Sequence, residues 1–144
     1  VNEQTQPDPA PVVNLLDAFR RSKAMFAGVN LGIFDALADG PMTLDALAPK
    51  LKLNTDALER LLDALVGLQL LKREQQGYAN TPAAAAYLCS KSPTRLTGYV
   101  RYSDQFLWKL WANLEDAIRE GTHRWTQTFG AKEGIFAHFY RDDQ

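Results

Sequence analysis

The sequence predicts a mainly α fold with a winged-helix-like core, a small β-wing and additional helices. Three observations predict it: leucines at helical spacing over residues 44–51 and again over 58–68, a break of only a few residues between those runs, and two short strand-like segments after them. At 144 residues the chain is long enough for one self-standing core.

Residues 1–11 are polar and carry three prolines, so they have little to bury and read as a linker or tail. The chain opens on Val1, not methionine, as expected of a piece of a longer protein. A first helix is expected from about Val12, with Val12, Leu15, Leu16, Phe19, Phe26 and Val29 at helical spacing and Gly32 as a left-handed cap. A short helix, Ile33 to Ala38, comes next, and Asp39-Gly40-Pro41 breaks the chain. Thr43 caps a helix through Leu44, Leu47 and Leu51, and Asn54 or Thr55 caps one through Leu58, Leu61, Leu62, Leu65 and Leu68. Leu70–Glu74 and Tyr78–Thr81 flank the turn Gln75-Gln76-Gly77 and form the wing. Thr81-Pro82 and Ser92-Pro93 each place a hydroxyl before proline, which predicts two further helix starts. Phe106, Leu107, Leu110, Trp111, Leu114, Ala117 and Ile118 predict one apolar helix face ending at Gly121. Aromatic residues crowd into the last third, which suits a pocket wall or a docking face.

A winged helix raises the expectation of duplex binding, and charge opposes it. Asp56, Glu59 and Asp63 lie along the helix that would enter the groove, with only Arg60 against them. A duplex carries one negative charge per ~1.7 Å of axis and repels such a helix. The net charge is −1: residues 1–42 hold three bases and five acids, 43–90 five and five, 91–144 eight and seven, so no segment offers a basic footprint. The alternative reading, a winged-helix DNA-binding regulator, would rely on Lys50, Lys52, Lys72 and Arg73.

The catalytic inventory is empty. The sequence has no GxGxxG, no GxxxxGK[ST], no HExxH and no CxxC. Cys89 is the only cysteine and reads as a small buried apolar residue; His123 and His138 read as surface or helix-terminal side chains. No metal site is expected. Lack of a disulfide and of a long apolar run favours a cytoplasmic chain with no membrane partner. The face carrying Phe19 and Phe26 exceeds what a small winged helix needs, which points to a protein interface and most economically to a homodimer.

Ser22-Lys23-Ala24-Met25-Phe26-Ala27-Gly28-Val29-Asn30-Leu31-Gly32-Ile33-Phe34-Asp35 resembles the opening block of the S-adenosylmethionine-dependent small-molecule O-methyltransferases. Ala117-Ile118-Arg119-Glu120-Gly121, Thr128-Phe129-Gly130 and Phe139-Tyr140-Arg141 resemble the acetylserotonin O-methyltransferase branch, especially its acetylserotonin O-methyltransferase-like members. The likeness covers residues 12–144. It implies a dimerisation and winged-helix domain over 12–104 that does not bind DNA, and a helical segment over 105–144 leading to a catalytic Rossmann-type domain outside this sequence. It also implies that residues 1–11 link to a Maf-type nucleotide pyrophosphatase domain. The implied dimer contacts are Phe19, Phe26 and Val29, which a homodimer buries. Tyr102 and Trp111 would line the cavity for a small aromatic acceptor, and Tyr140 would touch S-adenosylmethionine in the full-length parent. No catalytic residue and no cofactor of its own are expected for this chain alone.

Overall fold

The computed structural model describes residues 6–130. Among them the chain is mainly helical, with one small antiparallel hairpin. Two compact units divide between Arg101 and Tyr102. No helix among the described residues is long and apolar enough to cross a membrane.

The first unit opens with α1, Ala10–Asn30, which starts two residues ahead of Val12 because Pro11 suits the first helical turn, where no amide donor is required. α2, Ile33–Ala36, follows after Gly32, whose φ of 74° provides the left-handed step between the two helices. α3, Leu44–Leu51, and α4, Thr55–Gly67, start at caps of one kind: Thr43 Oγ1 accepts from the amide of Ala46 at 3.3 Å, and Asn54 Oδ1 from that of Ala57 at 3.0 Å. Leu47 of α3 and Leu58, Leu62 and Leu65 of α4 are buried with Ile33, Phe34 and Leu37. Each such side chain contributes roughly 1.5–3 kcal/mol by leaving water.

The hairpin pairs β1, Leu71–Glu74, with β2, Gly77–Asn80, in the register Leu71 with Asn80 and Glu74 with Gly77. Its turn is therefore Gln75-Gln76, one residue shorter than expected. A further strand-like contact was not legible in the sequence: Met42, just before α3, exchanges two backbone hydrogen bonds with Tyr78, at 3.0 and 2.8 Å. Gly77 makes this approach possible. A Cβ there would lie 2.1 Å from the Met42 carbonyl oxygen, and its φ of 121° is itself outside the range of ordinary side-chain-bearing residues.

α5, Pro82–Tyr87, begins as expected at Thr81, whose hydroxyl accepts from the amide of Ala84 and also donates to the carbonyls of Gln69 and Leu70. Ser92-Pro93, by contrast, opens no helix. The Ser92 hydroxyl donates to the Ala86 carbonyl at 2.5 Å and accepts from the amide of Thr94, holding a turn; the next helix, α6, runs Thr97–Tyr102.

The second unit also departs from expectation. In place of one helix to Gly121 there are a π-helical turn, Ser103–Leu107, then α7, Trp108–Trp111, and α8, Leu114–Glu120, followed by α9, Trp125–Phe129. The break falls at Asn113, whose side-chain amide donates to the Lys109 carbonyl and, at 3.0 Å, to Thr128 Oγ1, competing with the backbone ladder. Gly121 ends α8 in the left-handed conformation, as expected.

Gly77→Ala is expected to lower unfolding free energy by at least ~2 kcal/mol, because the added methyl meets backbone and the φ is strained. Urea unfolding followed by circular dichroism checks this; an unchanged midpoint would show that the Met42–Tyr78 pairing is dispensable.

Candidate functional site

α1 changes character along its length. Its last third dips into the core, where Phe26 and Val29 are 8% and 4% exposed. Its first half touches little. Leu15 is 77% exposed, Leu16 64% and Phe19 52%, with Val12 and Val13 also open to solvent. Of the three residues expected to bury against a partner, the structure thus places Phe26 and Val29 inside their own chain and leaves Phe19 on the surface. The sequence periodicity treats all three alike, since a repeating apolar face does not say which part of it the chain itself covers. Val12, Val13, Leu15, Leu16 and Phe19 together sweep roughly 160° of the helix circumference at 100° per residue, an unusually broad apolar arc for a solvated helix.

Beside this stretch lies a recess of about 380 Å³, lined by Ala18, Arg21, Ser22 and Met25 of α1 and by Leu68 and Leu70 at the end of α4. Ala18 and Ser22 are small, which is what leaves the space open.

The wing is fastened to α4 by a three-residue cluster. Asp63 accepts from Tyr78 Oη at 2.8 Å and from the Arg73 guanidinium, which also lies over the Tyr78 ring, 5.0 Å from its centroid. The Tyr78 hydrogen bond, and after it Arg73, holds the Asp63 carboxyl below its ordinary value. Burial, reinforced by Asp63, pushes the Tyr78 hydroxyl up to about 12. Asp63, read in the sequence as an exposed acid of a recognition helix, is a structural anchor. The same geometry employs three of the four bases that a duplex would need: Arg73 is held by Asp63, Lys72 Nζ lies 2.6 Å from Glu74, and Lys50 Nζ donates to the Ala36 carbonyl. Nothing in this arrangement favours the DNA-binding alternative.

In the second unit Tyr102 lies against Phe106, with ring centroids 5.7 Å apart; Phe106 meets Phe129 at 5.6 Å, and Phe129 meets Trp125 at 4.5 Å. Trp111 is 67% exposed and rims an apolar recess of about 220 Å³ with Leu110, Leu114, Ala117 and Trp125. Tyr102 is not part of that lining, so the two aromatic residues expected to share a cavity wall occupy different places in this unit. His123 is exposed at the mouth of the recess. Tyr140 and His138 lie outside the described residues. Among the described residues no group of three or more His, Cys, Asp or Glu side chains is placed to hold a metal ion.

The profile of the O-methyltransferase dimerisation domain matches residues 13–90, a span that contains the α1 stripe apart from Val12 and the recess beside it. The chain is 37% identical to human acetylserotonin O-methyltransferase over 134 residues, covering 88% of this chain and 39% of that protein. It is 34% identical over 140 residues to a human probable bifunctional dTTP/UTP pyrophosphatase/methyltransferase protein, covering 96% of this chain and 22% of that one. The structure superposes on human N-acetylserotonin methyltransferase, solved in complex with SAM, with a TM-score of 0.86 and 32% identity over 98% of this chain and 43% of that one. The chain therefore spans less than half the length of these relatives.

Tyr78→Phe is expected to lower stability by about 1 kcal/mol at neutral pH, since it removes one hydrogen bond between the wing and α4. The pH dependence carries a sharper signature. The folded state holds the Tyr78 proton more tightly than the unfolded chain, so the associated stability is complete below about pH 10 and lost as pH rises toward about 12. Asp63, with its depressed value, contributes above the ordinary carboxylate range and loses its contribution as pH falls through that value. Denaturant titrations across pH check both signs; a Tyr78→Phe chain that keeps the same alkaline decline would remove Tyr78 as its source.

Proposed function

Because this chain belongs to the O-methyltransferase dimerisation-domain family, we propose that it pairs with a second copy of itself through α1 and serves as the scaffold half of an S-adenosylmethionine-dependent small-molecule O-methyltransferase. The observation that carries the pairing is the exposed apolar arc of Val12, Val13, Leu15, Leu16 and Phe19, which lies, apart from Val12, within the matched domain. Open apolar surface on this scale is costly in water and is a usual mark of an association site. Phe19 belongs to the pairing surface; Phe26 and Val29 support it from beneath by holding the C-terminal part of α1 in the core.

The parent's chemistry is supported by its relatives. Human N-acetylserotonin methyltransferase is solved with SAM, and S-adenosylmethionine supplies an activated methyl group to an acceptor oxygen when bound to such an enzyme. The described residues do not themselves fit that cofactor. Their one hairpin leads through Thr81-Pro82 into the six-residue helix α5 and presents no glycine-rich phosphate- or ribose-binding turn. No catalytic step is therefore assigned to this chain. Its part in the reaction is positional: Trp111 with Leu110, Leu114 and Trp125 provides an apolar wall, and the Tyr102–Phe106 pair a second aromatic surface, both suited to a planar aromatic acceptor. Tyr140 is retained as the proposed contact to the methyl donor in the full-length protein.

Light scattering over a dilution series is expected to give twice the 16.1 kDa chain mass. Leu15→Glu combined with Phe19→Glu should return it to the monomer while circular dichroism stays helical, since both side chains are exposed in the single chain. A wild-type chain that is monomeric at every concentration would sink the pairing.

A further inference from the structure

We infer that the π-helical turn Ser103–Leu107 sets which acceptors fit: it swings Trp111 onto the side of the helix that carries Tyr102, so that the two rings receive the two ends of one long planar acceptor. This rests on the acceptor walls proposed above and adds the element that aims them and the length of acceptor they suit.

The backbone from Tyr102 to Trp111 is helical throughout, and its irregularity is the π-turn. There the Trp108 amide donates to the Ser103 carbonyl, five residues back instead of four. The turn therefore holds one surplus residue. In an uninterrupted α-helix, positions spaced as Tyr102 and Trp111 are would stand about 180° apart, on opposite sides. With one residue absorbed by the π-turn, the angle falls to about 80°.

The packing agrees. Phe106 lies 5.7 Å from Tyr102 and 5.6 Å from Phe129 of α9, while Trp111 shares its recess with Trp125 of that same helix. α9 has only five residues, and Trp125 and Phe129 are themselves in contact at 4.5 Å. Tyr102, through Phe106, and Trp111 thus meet one short helix, as rings on one side of their own helix can. Nothing local demands the turn, since Ser103–Leu107 contains neither glycine nor proline. Its aromatic contacts hold it. Trp111 is largely exposed and Tyr102 partly so, which leaves ring surface open on both. The two positions are separated by about 12 Å along the helix axis, a span that suits an extended fused-ring acceptor and exceeds a short one.

Removing the surplus residue tests this. Gln105 is chosen because its side chain is exposed. Dissociation constants of hydroxypyrene, a long planar aromatic alcohol, and naphthol, a short one, are measured by fluorescence on the full-length protein. Deleting Gln105 is expected to weaken hydroxypyrene binding about tenfold, as loss of one aromatic contact does, and to change naphthol binding by less than about twofold. Inserting an alanine between Trp108 and Lys109 of the deletion variant restores the residue count and should recover hydroxypyrene binding. Equal losses for both ligands, no loss for either, or a folded rescue variant without recovery would overturn the inference and leave the acceptor walls standing. If circular dichroism shows the deletion variant unfolded, Tyr102→Ala and Trp111→Ala decide instead: both should weaken hydroxypyrene and only one of them naphthol, and any other pattern overturns the shared acceptor. An unmodified full-length protein that binds neither ligand would overturn the walls and the inference together.

Discussion

Phe34 is the point on which the first unit depends. Its ring is 1% exposed and lies where α1 passes without a side chain: a Cβ on Gly28 would come within 2.8 Å of Phe34 Cε2 and 3.2 Å of Leu65 Cδ1. Its backbone carbonyl, at the end of a one-turn helix, receives Asn80 Nδ2 at 2.9 Å and Cys89 Sγ at 3.3 Å. The neighbouring Asp35 carboxylate accepts from the Ser90 amide at 2.6 Å. The α1–α2 segment, the hairpin and the residues just after α5, three regions well separated in sequence, thus meet at two consecutive residues. Short helices such as α2 have no independent stability in water, so it is this convergence that holds it.

Such a core leaves Val12, Leu15 and Leu16 in the first half of α1 exposed. Helices gain most of their stability in proteins by packing an apolar face, and over these turns Leu15 and Leu16 lie mostly open to solvent. The fold therefore separates two tasks along one helix: residues near Phe26 tie it to the core, and residues near Leu15 present it outward. The wing is built on the same economy, with Asp63, Tyr78 and Arg73 converting what sequence alone presents as a charged recognition surface into a fastening between hairpin and helix.

Features set by neighbouring residues were legible in the sequence. Thr43, Asn54 and Thr81 could be read as caps because a cap bonds to amides two or three residues on, and the leucine stripe of α4 could be read because burial there follows helical period. Features decided across distance were not. Ser92 has the same local signature as Thr81, yet its hydroxyl reaches back six residues to Ala86; Asn113 interrupts an apolar helix pattern by reaching fifteen residues ahead to Thr128. Of the candidate site, Phe19 stood out by periodicity, whereas the recess did not, because it is made by the smallness of Ala18 and Ser22 beside Leu68 and Leu70, and small residues carry no periodic signal.

The hydrogen bond from Cys89 to the Phe34 carbonyl has a consequence for how this molecule can be watched. The thiol is the only one in the chain, it is sealed within the convergence at Phe34, and burial raises its pKa away from the reactive thiolate. Reagents in solution reach it only when that junction opens, so its rate of alkylation counts opening events of the first unit. The protein carries, at its most connected point, a native chemical clock for its own breathing.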